Sequence, residues 1–401
     1  MKESKPGRIV ITERKGRLLL MLFKNNRPEL IKVAAAPDEQ DSLGNIYIGR
    51  VRDIAGGIQA AFVSVSPEET VFLSLGSCKK VLMSNREYDG TIKQGDEILV
   101  QITKQPQKTK LAGAETKLTL TGSYSVCEYD GHGISCSKKL SKENAADIKR
   151  EIEKAGIAGL KNYHFTIRTN AGELRDRTPL FEEMRRFISI FDGIKLQYKH
   201  RTCFSCLYKS EPEIISCLKS IPLNAYQEII TDSTYVYQLL KGSTENGLGS
   251  GLSVRLYEDS MLSLTSLYRL ETHLKEALSS RVWLPGGGYL VIEPTEAMVV
   301  IDVNSGKSEA KSSKNSGYYY KINEEAAGEI ARQLRLRNYS GMIMVDFINM
   351  ETEEENKRLL SCLEEYLKQD LVKTRLVDMT ALGIVEITRK KVSKPLDISI
   401  L

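Results

Sequence analysis

Two apolar segments of the chain each carry one aspartate, and these aspartates are its clearest candidates for chemistry. Residues 298–305 have the sequence MVVIDVNS, and residues 342–349 have the sequence MIMVDFIN. Runs of this composition predict strands that are buried on both faces. Because a buried, unpaired carboxylate costs several kcal/mol or more, Asp302 and Asp346 would each need a cation, a set of hydrogen-bond donors or a shifted pKa.

The residues between these segments predict a helix that joins the two strands. Asn323 is a favourable N-cap residue, and acidic residues suit the first turn. The apolar residues that follow recur at helical spacing on one face; they are Ala326, Ala327, Ile330, Ala331 and Leu334. A strand–helix–strand unit of this kind predicts two parallel strands, with both aspartates near the carboxyl edge of the sheet.

Asn304 lies two residues after Asp302, so the two side chains share one face of the strand. Two carboxylates and an amide oxygen suit Mg²⁺, which keeps several waters and accepts a substrate phosphate as a further ligand. Residues 305–319, rich in Lys and Ser, predict a mobile basic loop beside this metal. In the alternative interpretation, each aspartate caps a loop or pairs with an arginine, and the pattern alone leaves both interpretations open.

The segments YLVIEPTEAMVVIDVNSGKS and EEAAGEIARQLRLRNYSGMIMVDFINM resemble the catalytic region of the ribonuclease E/G family of bacterial endoribonucleases. The resemblance implies that Asp302 and Asp346 hold a catalytic Mg²⁺, with Mn²⁺ as an alternative ion, and that Asn304 assists them. It implies an endoribonuclease that cleaves single-stranded RNA, leaves 5′-phosphate and 3′-hydroxyl ends, and favours 5′-monophosphorylated substrates. Its partners would be ribosomal RNA precursors and messenger RNA, in ribosomal RNA processing and messenger RNA decay.

The resemblance covers most of the chain and implies an α+β multidomain fold. Residues 1–40 and 211–278 would form a ribonuclease-H-like scaffold, and residues 41–122 an inserted OB-fold RNA-binding barrel. Residues 123–210 would sense the 5′ phosphate of RNA, and residues 279–401 would form a C-terminal α/β, deoxyribonuclease-I-like catalytic subdomain. The residue pattern itself predicts hairpin strands over residues 8–33 and a small closed barrel of five strands, the last of them TKLTLTG, over residues 44–122.

Three barrel residues, Phe62, Phe72 and Lys110, match the RNA-binding surface of the family's barrel. Aromatic rings on such a surface can stack on unpaired bases. Without the resemblance, two phenylalanines in apolar strands are more typical of a core. The segment SVSPEET places Glu68 and Glu69 where the family has basic residues. Because RNA affinity depends largely on Lys and Arg, this departure leaves open whether the barrel binds RNA more weakly than those of its relatives.

The segment HFTIRTNAGEL ends a predicted strand with Arg168 and Thr169. The planar guanidinium of an arginine can bond two phosphate oxygens, and a threonine hydroxyl can bond a third. The resemblance implies that these two residues form the pocket for the 5′ monophosphate of RNA. Without it, a solvated Arg-Thr pair at the end of a strand is the commoner interpretation.

The composition is compatible with this function without requiring it. A net charge of +5 and a pI near 8.6 permit an acidic partner. Seven cysteines, an odd number, predict reduced thiols and a cytoplasmic location. No apolar run approaches the roughly 20 residues of a membrane helix, so no membrane span is expected.

The cysteines predict no zinc site. Cys203 and Cys206 form a C-x-x-C motif without a second pair at suitable spacing, and we interpret them as buried strand residues. The family's carboxyl-terminal cysteine pair, which shares zinc between two subunits, is absent, so no structural zinc is expected and any homodimer would not be held by zinc. Two alternative functions are an RNA-binding or scaffold protein with a weak or vestigial nuclease site, and a phosphodiesterase of small nucleotides.

Overall fold

The structure is a computed structural model that describes residues 7–35, 42–78, 80–106, 110–244, 252–306, 317–350 and 352–397. Most of the predicted basic loop, residues 307–316, lies outside the described residues. Across the part of the chain that is described, no helix is both long enough and apolar enough to cross a membrane.

The described residues form a mixed α+β fold. Its strands are β1 Gly7–Arg14, β2 Arg17–Lys24, β3 Arg27–Ala35, β4 Ile46–Ala55, β5 Ala60–Ser64, β6 Thr70–Ser74, β7 Glu97–Lys104, β8 Gly113–Glu115, β9 Thr119–Thr121, β10 Ser125–Glu128, β11 Gly133–Cys136, β12 His164–Ile167, β13 Cys206–Tyr208, β14 Tyr226–Thr231, β15 Ser253–Leu256, β16 Arg281–Trp283, β17 Tyr289–Pro294, β18 Met298–Asn304, β19 Gly341–Asp346, β20 Thr374–Met379 and β21 Ile384–Arg389. Its helices are α1 Lys142–Lys154, α2 Thr178–Gln197, α3 Glu213–Lys219, α4 Thr234–Thr244, α5 Leu264–Leu267, α6 Leu270–Leu278, α7 Tyr318–Arg337 and α8 Glu353–Lys368.

The chain divides into two compact units. The first contains Met1–Ala36, Asn224–Lys241 and Gly251–Leu401, and the second contains Pro37–Leu223 and Gly242–Ser250. The finer division into four subdomains stays a prediction.

One sheet of the first unit has the strand order β15-β14-β1-β2-β3. The hairpin strands predicted over residues 8–33 are confirmed, because β1, β2 and β3 pair antiparallel in sequence order. Val10, Leu19 and Met21 are buried on one side of this sheet, together with Leu270 and Leu274 of α6.

The second sheet of this unit has the order β16-β17-β18-β19-β21-β20 and carries both aspartates. Its inward side chains include Ile301, Val345 and Val385, which pack with buried residues of α7 and α8 such as Ile330 and Leu363. These two helices are the crossovers that follow β18 and β19 along the chain.

The second unit contains the predicted closed barrel, with one strand reassigned. Strands β4, β5, β6, β8 and β7 pair in that order, and β7 pairs back with β4, which closes the barrel. This arrangement is consistent with an OB fold. The segment TKLTLTG was predicted to be the fifth barrel strand, but its β9 joins a separate sheet of order β11-β12-β10-β9. The short strand β8 takes its place, because it pairs with both β6 and β7.

The separate sheet of the second unit packs against helices α1 and α2. Buried Ile148 and Ile152 of α1 and Met184 and Phe191 of α2 share one core with Phe165 of β12. The side chain of Ser141 caps α1 by accepting a hydrogen bond from the Asn144 amide, at 3.2 Å. The apolar residues of both helices recur at helical spacing, which places them together on the face that packs in this core.

Candidate functional site

Asp302 and Asp346 lie side by side on neighbouring strands. Strands β18 and β19 are parallel, as predicted, and the backbone partner of Asp302 is Asp346 itself. Neighbouring strands lie about 4.8 Å apart, and laterally paired residues project from the same face. Both carboxylates therefore project from one small area near the carboxyl ends of the two strands.

The prediction that these strands are buried on both faces was wrong. In β18 the side chains of Val299, Ile301 and Val303 are buried, whereas Asp302 is exposed. Strand β19 alternates in the same way and leaves Asp346 exposed. Because both carboxylates remain in contact with solvent, neither requires the compensation that a buried carboxylate would need.

Asn304 is held against Asp302. Its Nδ2 donates a hydrogen bond to Asp302 Oδ2 at 2.7 Å, which orients the carboxylate. Among the residues that the structure describes, neither Asp302 nor Asp346 forms an ion pair with Lys, Arg or His. The arginine-paired alternative therefore finds no support in the described part of the chain.

The donor set fits a hard divalent cation. Two carboxylates of like charge face solvent together, and an amide supports one of them. Mg²⁺ typically binds through one or two carboxylates and keeps several waters, so it does not need a larger cluster of ligands. Within the described ranges, no group of three or more His, Cys, Asp or Glu side chains could hold a metal ion.

Asn323 supports the loop after Asp346 instead of capping a helix. Helix α7 begins six residues earlier than predicted, at Tyr318, with Gly317 at its N-cap in the left-handed region at φ 97°. The side chain of Asn323 is fully buried. Its Nδ2 donates to the carbonyl of Ile348 at 2.8 Å, and its Oδ1 accepts from the Ile348 amide at 3.1 Å. This double hydrogen bond ties α7 to the chain two residues beyond Asp346.

A glycine-rich turn between β16 and β17 supports Asn304 from the other side. Glu325 of α7 accepts a hydrogen bond from the amide of Gly286 at 2.8 Å. A Cβ atom on Gly288 would lie 2.7 Å from the carbonyl oxygen of Asn304, so only glycine permits this close approach. The sequence LPGGG of residues 284–288 is typical of a turn, but the contact of this turn with Asn304 is apparent only in the fold.

Arg168 and Thr169 lie together at the end of β12, in the second unit. Arg168 Nη1 donates to the carbonyl of Gly122, and Thr169 Oγ1 shares a 3.2 Å hydrogen bond with Ser137 Oγ. Burial lowers the pKa of Arg168, and the negative charge of Glu183 opposes this shift. The guanidinium is half-buried, and its remaining donors form no hydrogen bond within the described ranges.

Glu183 is a structural residue of this region that the sequence did not reveal. It lies on α2 and is only 7% exposed. Its carboxylate accepts hydrogen bonds from the amides of Ser123, Tyr124 and Ser125 at 2.7, 3.1 and 2.7 Å. These bonds hold the turn whose preceding carbonyl, that of Gly122, accepts from Arg168. The only signal in the sequence is a lone Glu among the apolar residues that line the buried face of α2.

Phe62 and Phe72 project from the outside of the barrel. They are direct partners on β5 and β6, and their ring centroids are 6.3 Å apart in an edge-to-face arrangement. The barrel core contains their neighbours Ala61, Val63, Val71 and Leu73, whereas both phenylalanines are half-buried. The core interpretation of these rings was therefore wrong. Lys110 is exposed just before β8, which pairs with β6.

Comparison with known proteins identifies the family. The model of the ribonuclease E/G family matches residues 119–392. The chain belongs to the ribonuclease E/G family. Ribonuclease E of Nostoc sp. is 30% identical over 397 residues, which are 96% of this chain and 56% of that protein. Ribonuclease E of Synechocystis sp. is 29% identical over 395 residues, which are 96% of this chain and 57% of that protein. Ribonuclease G of Escherichia coli is 29% identical over 367 residues, which are 88% of this chain and 74% of that protein.

This ribonuclease E/G family chain thus spans little more than half the length of the two cyanobacterial ribonuclease E proteins. The segment matched by the family model contains Asp302, Asn304, Asp346, Arg168 and Thr169.

The C-x-x-C motif of this family member is not buried as predicted. Cys206 in β13 is exposed, and Cys203 is half-buried in the preceding turn. Strand β13 attaches to β4 beside the closed barrel, so one of its faces stays open. Partial burial raises the pKa of both thiols, which makes the thiolate form less abundant at neutral pH.

Proposed function

We propose that this chain is a Mg²⁺-dependent endoribonuclease that cleaves single-stranded RNA and leaves 5′-phosphate and 3′-hydroxyl ends. Membership of the ribonuclease E/G family supports the activity. The observation that carries the proposal for the site is the lateral pairing of two exposed aspartates, Asp302 and Asp346, with Asn304 hydrogen-bonded to the first.

In the proposed mechanism, Asp302 and Asp346 hold the ion and Asn304 keeps the Asp302 carboxylate in its binding orientation. Bound Mg²⁺ supplies a water of lowered pKa and offsets negative charge on the scissile phosphate. Asn323 and the Gly286–Gly288 turn keep the chain around the aspartates in place through the contacts with Ile348 and Asn304. The open face of the sheet gives an RNA strand access to the carboxylates.

The test is cleavage of a 5′-monophosphorylated, AU-rich, single-stranded oligoribonucleotide with Mg²⁺ and with EDTA. Asp302→Asn and Asp346→Asn should each reduce the rate by about 10²-fold or more and leave the circular dichroism spectrum unchanged. Glu296→Gln is the matched control, because Glu296 is an exposed carboxylate in the turn just before β18. This variant should cleave at the wild-type rate. Substantial activity in either aspartate variant would refute the mechanism. RNA binding without cleavage by the wild type would favour the alternative of a vestigial nuclease.

We further propose that Arg168 and Thr169 bind the 5′ monophosphate of the substrate. The remaining guanidinium donors of Arg168 and the neighbouring hydroxyl of Thr169 support this role. Arg168→Ala should slow cleavage of monophosphorylated RNA far more than cleavage of the same RNA with a 5′ hydroxyl. Equal slowing of both substrates would mean that Arg168 is a general backbone contact or a structural residue.

The remaining expectations form part of the same proposal. Phe62 and Phe72 lie on the outside of the barrel, and exposed Lys110 lies just before β8, which pairs with β6. These positions support RNA binding by the barrel. Roles in ribosomal RNA processing and messenger RNA decay, a cytoplasmic location, and either a monomer or a homodimer without zinc are the biological context that we propose.

A further inference from the structure

A cluster of two aromatic rings and one guanidinium lies on the strands next to the aspartates. Trp283, the only tryptophan of the chain, is 62% exposed. Its ring centroid is 5.1 Å from that of Tyr289, at an interplanar angle of 57°. The guanidinium carbon of Arg281 lies 4.6 Å from the Tyr289 ring centroid and 5.9 Å from that of Trp283. We call these three residues the aromatic cluster.

The strand register places the aromatic cluster on the same face as the aspartates. Trp283 pairs with Tyr289, and Tyr289 pairs with Asn304. In the adjacent row, Arg281 pairs with Val291, and Val291 pairs with Asp302. Because laterally paired residues project from the same face, both rows continue directly into the candidate active site. Two strand spacings, about 10 Å, separate Trp283 from Asn304 and Arg281 from Asp302.

The aromatic cluster lies on the exposed face of the sheet and is not part of the hydrophobic core. Val282 and Leu284, which alternate with Arg281 and Trp283, point toward the core under the sheet. Arg281 forms no ion pair with a carboxylate within the described ranges, so its charge remains available. Arg281 lies closer to Tyr289 than to Trp283, which leaves the tryptophan as the ring that is open to a ligand.

We propose that the aromatic cluster is a subsite for the RNA strand that flanks the scissile bond, with one unpaired base stacked on Trp283 and a phosphate bound by Arg281. Stacking on an exposed ring suits any unpaired base, because every base has a π face. A free guanidinium beside the ring suits the adjoining phosphate. Stacked nucleotides advance about 3.4 Å each, so the subsite lies about three nucleotides from Asp302. The proposal rests on the proposed RNA substrate, although not on cleavage.

The single tryptophan makes the experiment specific for this position. The wild-type protein is titrated in EDTA with a single-stranded oligoribonucleotide, with an abasic ribose-phosphate chain of equal length, and with duplex RNA. A tryptophan amide in the same solutions corrects for absorption. Saturable quenching of Trp283 fluorescence is expected with the single strand and with neither of the other two. Labelled RNA that binds without quenching, or equal quenching by the abasic chain, would overturn the proposal.

Variants then separate base stacking from a purely structural ring pair. By fluorescence anisotropy of labelled RNA, Trp283→Leu should bind roughly 5- to 150-fold more weakly, whereas Trp283→Phe, which keeps a ring, should stay close to the wild type. Arg281→Ala should reduce the salt dependence of binding by about one ion.

The outcomes distinguish the subsite from the nuclease. Quenching without cleavage in Mg²⁺ would refute the nuclease but retain the subsite, and cleavage without quenching would refute the subsite alone. Absence of RNA binding would refute both.

Discussion

Removing one negative charge from the aspartate pair should stabilise the metal-free protein while it abolishes cleavage. Asp302 and Asp346 are direct partners on adjacent parallel strands, and no described cation compensates them. Like charges at such positions repel each other. Asp346→Asn is the appropriate change, because Asp302 accepts the hydrogen bond from Asn304 and its replacement would also disturb that bond.

The magnitude follows from the geometry. Two unit charges about 5 Å apart repel by about 0.8 kcal/mol in water, and cross-strand charge pairs typically contribute roughly 0.2–1 kcal/mol. The water limit applies because both carboxylates are exposed. For a folded unit of about 150–250 residues, 1 kcal/mol corresponds to about 2–4 °C in melting temperature. We therefore expect Asp346→Asn to raise the melting temperature in EDTA by about 1–3 °C.

The assay is thermal unfolding of the wild type and the variant, in EDTA and in millimolar Mg²⁺. Mg²⁺ should raise the melting temperature of the wild type, because a ligand that binds only the folded state stabilises it, and should raise that of Asp346→Asn much less. The difference in EDTA should vanish near 1 M salt, where the Debye length is only about 3 Å. Glu296→Gln is again the control and should show neither effect. A lower melting temperature of Asp346→Asn in EDTA, or equal stabilisation of both proteins by Mg²⁺, would refute the reasoning.

Three further predictions concern other parts of the chain. Arg389 and Asp370 form a buried ion pair at 2.7 Å, so Arg389→Ala should lower the free energy of unfolding by about 3–5 kcal/mol in urea. The hydrogen bond from Arg86 holds the pKa of Asp96 below its ordinary 3.8, so its contribution to stability, present above about pH 4, is lost as pH falls through the lowered pKa. Asp96→Asn should therefore lose less stability on acidification. Metal analysis of the purified chain should find no stoichiometric zinc, and chelators should leave its oligomeric state unchanged; dissociation on chelation would contradict this.

The sequence by itself determined the local elements of the candidate active site. Apolar runs with one aspartate each, joined by residues at helical spacing, were sufficient to predict β18, α7 and β19 and the parallel pairing of the two strands. The positions of Asp302 and Asn304 on one strand face also followed from the two-residue period. The strands and the helix depend on neighbours close in the sequence, so the pattern of residues carries them. The parallel pairing followed from their strand–helix–strand order, because such crossovers are right-handed and join parallel strands.

Only the tertiary structure decided which strand faces are buried. Val300, Met342 and Met344 made both faces of β18 and β19 look apolar, but two of them are 39% and 50% exposed and Met344 is half-buried. The face that is buried is the one against which α7 and α8 pack. The start of α7 and the role of Asn323 were likewise hidden, because Ile348, its hydrogen-bond partner, lies 25 residues further along the chain.

The same distinction explains the barrel and the aromatic cluster. The apolar alternation of TKLTLTG predicted a strand correctly, but the partners of that strand, β10 and not β7, depend on the fold. Trp283 and Asn304 are 21 positions apart in the sequence and meet in one row through two hairpin registers. A strand pattern specifies which side chains alternate, whereas pairing across the sheet, which is non-local, decides which of them become neighbours.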